Sequence, residues 1–207
     1  MTLKYNENMI RTHKLIISFA LIFLLSACSS NKEMVKEVSK APSYEDVLNQ
    51  YTREGKLYDN FDTQLIAYAT YKDNAFMKAQ IDKQAKDMLY DSSKVDILKL
   101  QSERDNETHV NFFVALYTPD DRFADFSKEK GLWKFYIKRG DSNPIEADKI
   151  KKVSRADKPI FEALYRYLSP WMQGYKVSFK KLDGDNSTAP LTLIITGQLG
   201  KMELTYN

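Results

Sequence analysis

The sequence predicts a mainly β domain: an antiparallel β-sandwich, with an immunoglobulin-like arrangement as one form of it, carrying two or three inserted helices. Three observations lead there. Short apolar runs of period two recur through the second half of the chain. Turn clusters separate them, at Arg139–Pro144, Asp183–Asn186 and Gly197–Gly200. Most of the stretches of helical period lie between the early strands. Late strands joined by short turns pair antiparallel. The alternative is an α+β fold with helices on one face of an antiparallel sheet. The Cys-Trp-Cys pattern of true immunoglobulin domains is absent.

The elements follow in order. Ser43 opens a short helix, with Asp46 at the capping-box position and Val47, Leu48 and Tyr51 as its apolar face; Gly55 is expected to end it. Thr63 to Tyr71 reads as a strand whose two faces are both mostly apolar or aromatic, so it is expected to be covered on both sides. Asp73 caps a helix to about Tyr90, with Met77, Ile81, Ala85, Met88 and Leu89 in one stripe. A helical or irregular piece holds Val95, Ile97, Leu98 and Leu100. Strands are expected at 110–117 and 132–138. Residues 145–153 read as a polar edge strand or a loop. Asp157-Lys158-Pro159 opens a helix to Leu168, with Asp157 at the cap and proline in the first turn. Strands at 175–181, 191–195 and 202–206 complete six to eight.

The amino terminus has a different character. A basic stretch with Arg11 and Lys14 precedes an 11-residue apolar run, Leu15 to Leu25, which leads into Ser26-Ala27-Cys28. Charge, apolar core and small residues in that order form a secretory signal layout, and the run is too short to span a bilayer, which takes about 20 residues. Leu25-Ser26-Ala27-Cys28 resembles the lipobox of bacterial lipoproteins. The resemblance implies cleavage before Cys28, thioether lipidation of Cys28 and acylation of the new amino terminus. Ser29 in place of aspartate implies the periplasmic side of the outer membrane in a Gram-negative host. The expected organisation is a signal peptide at 1–27, a lipidated tether at 28–42 and a single globular β-rich domain at 43–207. Met9, which opens a more compact basic segment, is the alternative start.

Composition excludes several chemistries. The leader removes three basic residues and one acidic residue, leaving 28 and 27. A net charge of +1 provides no long-range field, so no nucleic-acid partner is expected. Cys28 is the single cysteine, so neither an intrachain disulfide nor a cysteine metal centre can form. His109 is the sole histidine after the leader, so a zinc site is not expected. His109 opens an apolar strand, and no Gly-x-Ser-x-Gly elbow accompanies it. Asp183-x-Asp185-x-Ser187 lacks the later ligands of a calcium loop. Asp120, Asp121, Arg122 and Asp125 read as a solvated turn with local ion pairs. The expectation is no enzyme, no metal and no cofactor.

Two aromatic groups are the candidate binding surface: Trp133 with Tyr136, and Tyr165, Tyr167, Trp171 and Tyr175. Such rings anchor partner proteins or stack on sugars. The expected function is a non-catalytic interaction module of a membrane-anchored envelope lipoprotein, with another envelope protein as partner. The alternatives are an apolar-ligand or lipid carrier using Met77, Ile81 and Met88, and an envelope hydrolase with a carboxylate pair.

Overall fold

Helix α1 (Tyr44–Tyr51) begins at a capping box. The Ser43 hydroxyl accepts from Asp46 N at 3.2 Å, and the Asp46 carboxylate accepts from Ser43 N at 3.0 Å. The computed structural model describes residues 41–120, 124–127, 131–181 and 188–207. The leader, Cys28, nearly all of the tether, and the Asp121–Arg122 and Asp183–Asn186 segments lie outside these residues. Pro42–Asn207 fold as one unit.

Nine strands and three further helices follow α1 among the described residues: β1 (Thr52–Asp59), β2 (Asp62–Tyr71), α2 (Asn74–Met88), α3 (Ser92–Thr108), β3 (His109–Tyr117), β4 (Trp133–Arg139), β5 (Ile145–Glu146), β6 (Lys149–Lys152), α4 (Lys158–Leu164), β7 (Gln173–Lys180), β8 (Leu191–Gly197) and β9 (Gly200–Tyr206). They make two antiparallel sheets. One has five strands, in the order β1-β2-β3-β7-β6; the other has four, in the order β5-β4-β8-β9.

Side-chain alternation sorts the strands into three layers. Leu65, Ala67 and Ala69 of β2, Phe112 and Val114 of β3 and Val177 of β7 share one core with Phe135, Leu193, Ile195 and Leu204 of the four-stranded sheet. Odd-numbered residues of β3 point the other way. Phe113 and Ala115 meet Leu48 of α1, Phe76 of α2 and Leu164 of α4, with Tyr165 beside it, in a second core. Phe113 stacks on Tyr165 with ring centres 3.8 Å apart. The β2 strand is covered on both sides as its sequence predicts. Helices α1, α2 and α4 therefore cover one face of the five-stranded sheet, a feature of the alternative α+β reading, while a second sheet covers the other.

Several expectations are corrected, and two that left alternatives open are decided. Gly55 does not end α1: the helix stops at Tyr51, and Gly55 lies in mid-strand. A Cβ there would collide with Met202 and Leu204 of β9, so the glycine is a point of close approach between the sheets. The 95–100 piece is part of a full helix, α3, capped by Asp91, whose carboxylate accepts from Lys94 N at 2.8 Å. Residues 145–153 form two short edge strands, one in each sheet. Helix α4 ends at Leu164, and Asp157 makes no side-chain cap; its carboxylate accepts from the Ser154 hydroxyl at 2.8 Å instead. The α2 stripe is broken at its end: Phe76, Gln80 and Ile81 are buried, whereas Met88 and Leu89 are exposed. Met77, Ile81 and Met88 thus differ in burial: Ile81 is buried, Met77 half-buried and Met88 exposed.

Gly55→Val should lower unfolding free energy by about 1–3 kcal/mol through overpacking against β9; a chemical denaturation midpoint matching wild type would refute the close-approach account. A second prediction concerns Lys72, between β2 and α2. The residue keeps some solvent exposure, yet desolvation of its ammonium, with Lys176 adding and Asp105 opposing, lowers its pKa to about 8. An unfolded lysine titrates near ~10.4, so the unfolded chain binds more protons between those values and stability rises with pH there. Lys72→Met should stabilise the domain at neutral pH and flatten that rise. Buried Tyr165 and half-buried Tyr167, both raised by desolvation, act only above about pH 10, so the window below is clean.

Candidate functional site: an exposed tryptophan beside an apolar groove

The six aromatic residues of the candidate surface do not share a surface. Trp133 is 1 % exposed and stacks on Phe126 at 6.1 Å. Tyr175 is fully buried; its hydroxyl donates to Ala124 O at 2.9 Å, and burial raises its pKa to about 12. Both belong to the core between the sheets, sharing strand parity with Phe135 and Val177. Tyr165 is also buried, donating to Gln80 Oε1 at 2.7 Å, and desolvation drives its pKa well upward. These three are corrected from candidate contacts to core. Tyr167 is half-buried, stacked on Tyr68 at 5.2 Å, with its hydroxyl hydrogen-bonded to Thr70 Oγ1. Tyr136 is half-buried on the opposite side of the molecule, on the outer face of the four-stranded sheet, opposite Glu146 and Ile194 in register.

Trp171 alone is fully presented, at 83 % exposure. Its loop is built to hold it. Ser169 N donates to Tyr167 O at 2.9 Å, and Met172 N donates to Ser169 O at 3.0 Å. Lys158 Nζ donates to Pro170 O at 2.9 Å and to Met172 O at 3.0 Å. One ammonium thus grips the carbonyls on either side of Trp171 and fixes the turn. Beside the indole lies a groove of about 370 Å³ lined by Ile66, Tyr117, Ser169 and Met172. Ile66 and Tyr117 are register partners on β2 and β3, and Met172 is nearly buried. An exposed indole loses the stabilisation that burial would give it, about 1.5–3 kcal/mol for a large apolar side chain. A rigid loop that keeps it out is the form of a binding anchor.

The sequence reading missed Phe61, which is fully exposed in the β1–β2 turn beside half-exposed Tyr58. The turn needs Asn60 at a φ of 53°, a conformation asparagine accepts better than most residues. A large aromatic between Asn60 and Asp62 in a tight turn is the signal that could have found it. His109 has its Nδ1 2.8 Å from the Thr108 hydroxyl and 3.7 Å from Asp105 Oδ1, contacts within its own turn. Asp125, from the acidic cluster, accepts from Ser127 N and Oγ. Among the described residues no group of three metal-ligating side chains occurs, and no helix is long and apolar enough to cross a membrane.

No protein-family model matches this chain, and neither a curated protein nor a solved structure matches it.

Trp171→Ala should change stability by less than about 0.5 kcal/mol, the usual range for surface substitutions. Tyr165→Ala should cost about 3–5 kcal/mol, as large aromatic truncations in cores do. Thermal unfolding of the two variants side by side checks the assignment, and equal losses would overturn it.

Proposed function

We propose that the protein is a lipid-anchored lipoprotein of the cell envelope, facing the periplasm from the outer membrane in a Gram-negative host. Its domain, a β-sandwich backed by helices, is a non-catalytic binding module for another envelope protein. The observation that carries the binding role is Trp171, held outward by Lys158 beside the Ile66–Tyr117–Met172 groove. The anchor rests on the leader and on the lipobox-like Leu25-Ser26-Ala27-Cys28. The sandwich, an arrangement immunoglobulin-like domains also use, rests on one core fed by the inner faces of both sheets.

Two measurements test this reading. Metabolic palmitate labelling should mark the wild-type chain and leave Cys28→Ala unlabelled and released from the membrane fraction; membrane-bound Cys28→Ala would overturn the anchor. A photo-reactive residue at position 171 in intact cells should capture one discrete envelope protein, identified by mass spectrometry. The same probe at Tyr136, on the opposite side, should not capture it. Equal capture from both positions, or retained lipid with no protein capture, would overturn the Trp171 site.

A further inference from the structure

A second cavity, of about 540 Å³, opens on the other side of the five-stranded sheet from the Trp171 groove. Ile66 and Tyr71 mark the two sites on β2. They are five residues apart, about 17 Å along a strand at 3.3–3.4 Å per residue, and of opposite parity. The cavity lies between β1 and β2 of one sheet and the β4, β8 and β9 strands of the other, within the 300–1,000 Å³ range of small-molecule sites.

Arg53 of β1 lines this cavity, and its position is fixed entirely by neutral groups. Nε donates to Thr205 O at 2.9 Å, and Nη1 donates to Gln50 O at 2.8 Å and Thr52 O at 2.9 Å. The guanidinium carbon stands 5.1 Å from the centre of the Tyr206 ring. Neither terminal hydrogen of Nη2 meets an acceptor among the described residues, and no carboxylate there pairs with Arg53. The guanidinium is therefore oriented in advance, by carbonyls that leave its charge uncancelled and two donors open.

The surrounding walls narrow the ligand. Tyr206 spends its hydroxyl on Ala69 O at 2.7 Å, so it offers the cavity a ring. Tyr71 adds a second aromatic wall, and Arg139, whose Nη1 donates to Ala189 O at 3.3 Å, bounds the cavity on the β4 side. Asp73, the one acidic side chain among the described residues of the lining, accepts from Phe76 N at 2.8 Å at the start of α2. Asp73 is thus already engaged, but its charge still disfavours a dianion nearby. A single negative charge with a flat apolar body suits these walls.

We propose that this cavity binds a small organic acid, its carboxylate on Arg53 and its body against the tyrosine rings. Binding would serve as a ligand input separate from the Trp171 groove, and it does not depend on the lipid anchor.

The test uses the full chain in detergent and ligand-observed NMR titrations with benzoate, benzamide and phenyl phosphate. Benzoate should bind saturably at millimolar or lower concentration, and benzamide, which lacks the charge, at least tenfold more weakly. Arg53→Gln should weaken benzoate at least tenfold. Ala189→Trp, which fills the cavity without altering the Arg53 contacts, should do the same with an unchanged unfolding midpoint, and it decides the matter if Arg53→Gln fails to fold. Absence of saturable benzoate binding, equal affinity for benzamide, or wild-type binding by Ala189→Trp would overturn the proposal. Tighter binding of phenyl phosphate than of benzoate would overturn the carboxylate assignment.

Discussion

A strand with apolar side chains on both faces has to be covered twice, and β3 is that strand here. Val110, Phe112, Val114 and Leu116 point one way, Phe113 and Ala115 the other, and none is more than 2 % exposed. At about 1.5–3 kcal/mol for each large side chain, leaving either face open would forfeit much of what holds a domain of this size. The second sheet satisfies one face and the helices α1, α2 and α4 satisfy the other. With a single cysteine in the chain, no intrachain disulfide can share the work, so the double burial of β3 has to carry it.

The two coverings are attached differently. The sheet-to-sheet core is mostly aliphatic and aromatic, whereas the end of the helical layer is held by buried amides. Asn106 donates to Asn74 Oδ1 at 2.8 Å, Asn111 donates to Asp105 and Asn106, and Ser178 donates to Asn111 Oδ1 at 2.6 Å. Apolar packing tolerates sliding; a satisfied polar network does not, because each shifted register strands a buried donor. The network thus fixes where the α2–α3 pair sits on β3 and β7. Among the described residues the outer face of the four-stranded sheet carries no helix, and there Lys134–Glu146 and Lys201–Glu203 are surface ion pairs worth little to stability.

Local rules predicted the elements well and their surroundings less well. Period-two runs located β3, β4, β7 and β8, and the Ser43 and Asp73 caps located α1 and α2, because alternation and capping act within a few residues. Gly55 misled because a glycine at a helix end and a glycine under a crossing strand look alike until β9 is present. Helix α3 was obscured because only Asn106 along it is buried, so it lacks an apolar stripe. The aromatic cluster failed for a related reason: rings build cores and contact surfaces alike. Strand parity separates part of it, since Trp133 shares a face with Phe135 and Ile137, and Tyr175 with Val177 and Phe179. Trp171 was legible only as one ring among several, and Arg53 not at all, because its anchors are backbone carbonyls that carry no sequence signal.

The crossing of β1 and β9 has a consequence for recognition. The long outer strands of the two sheets, β1 and β9, lie against each other: Gly55 sits under Met202 and Leu204, Gly200 under Leu57, and Arg53 reaches Thr205 O. At the opposite margin the sheets end in β5 and β6, of two and four residues. Exposed long edges are what incoming chains use to extend a sheet, in useful complexes and in aggregates alike. Among the described residues, the two long outer strands are thus each backed by the other. A partner that approaches this margin meets side chains of both sheets at once, and a second copy finds it less open to edge-to-edge pairing.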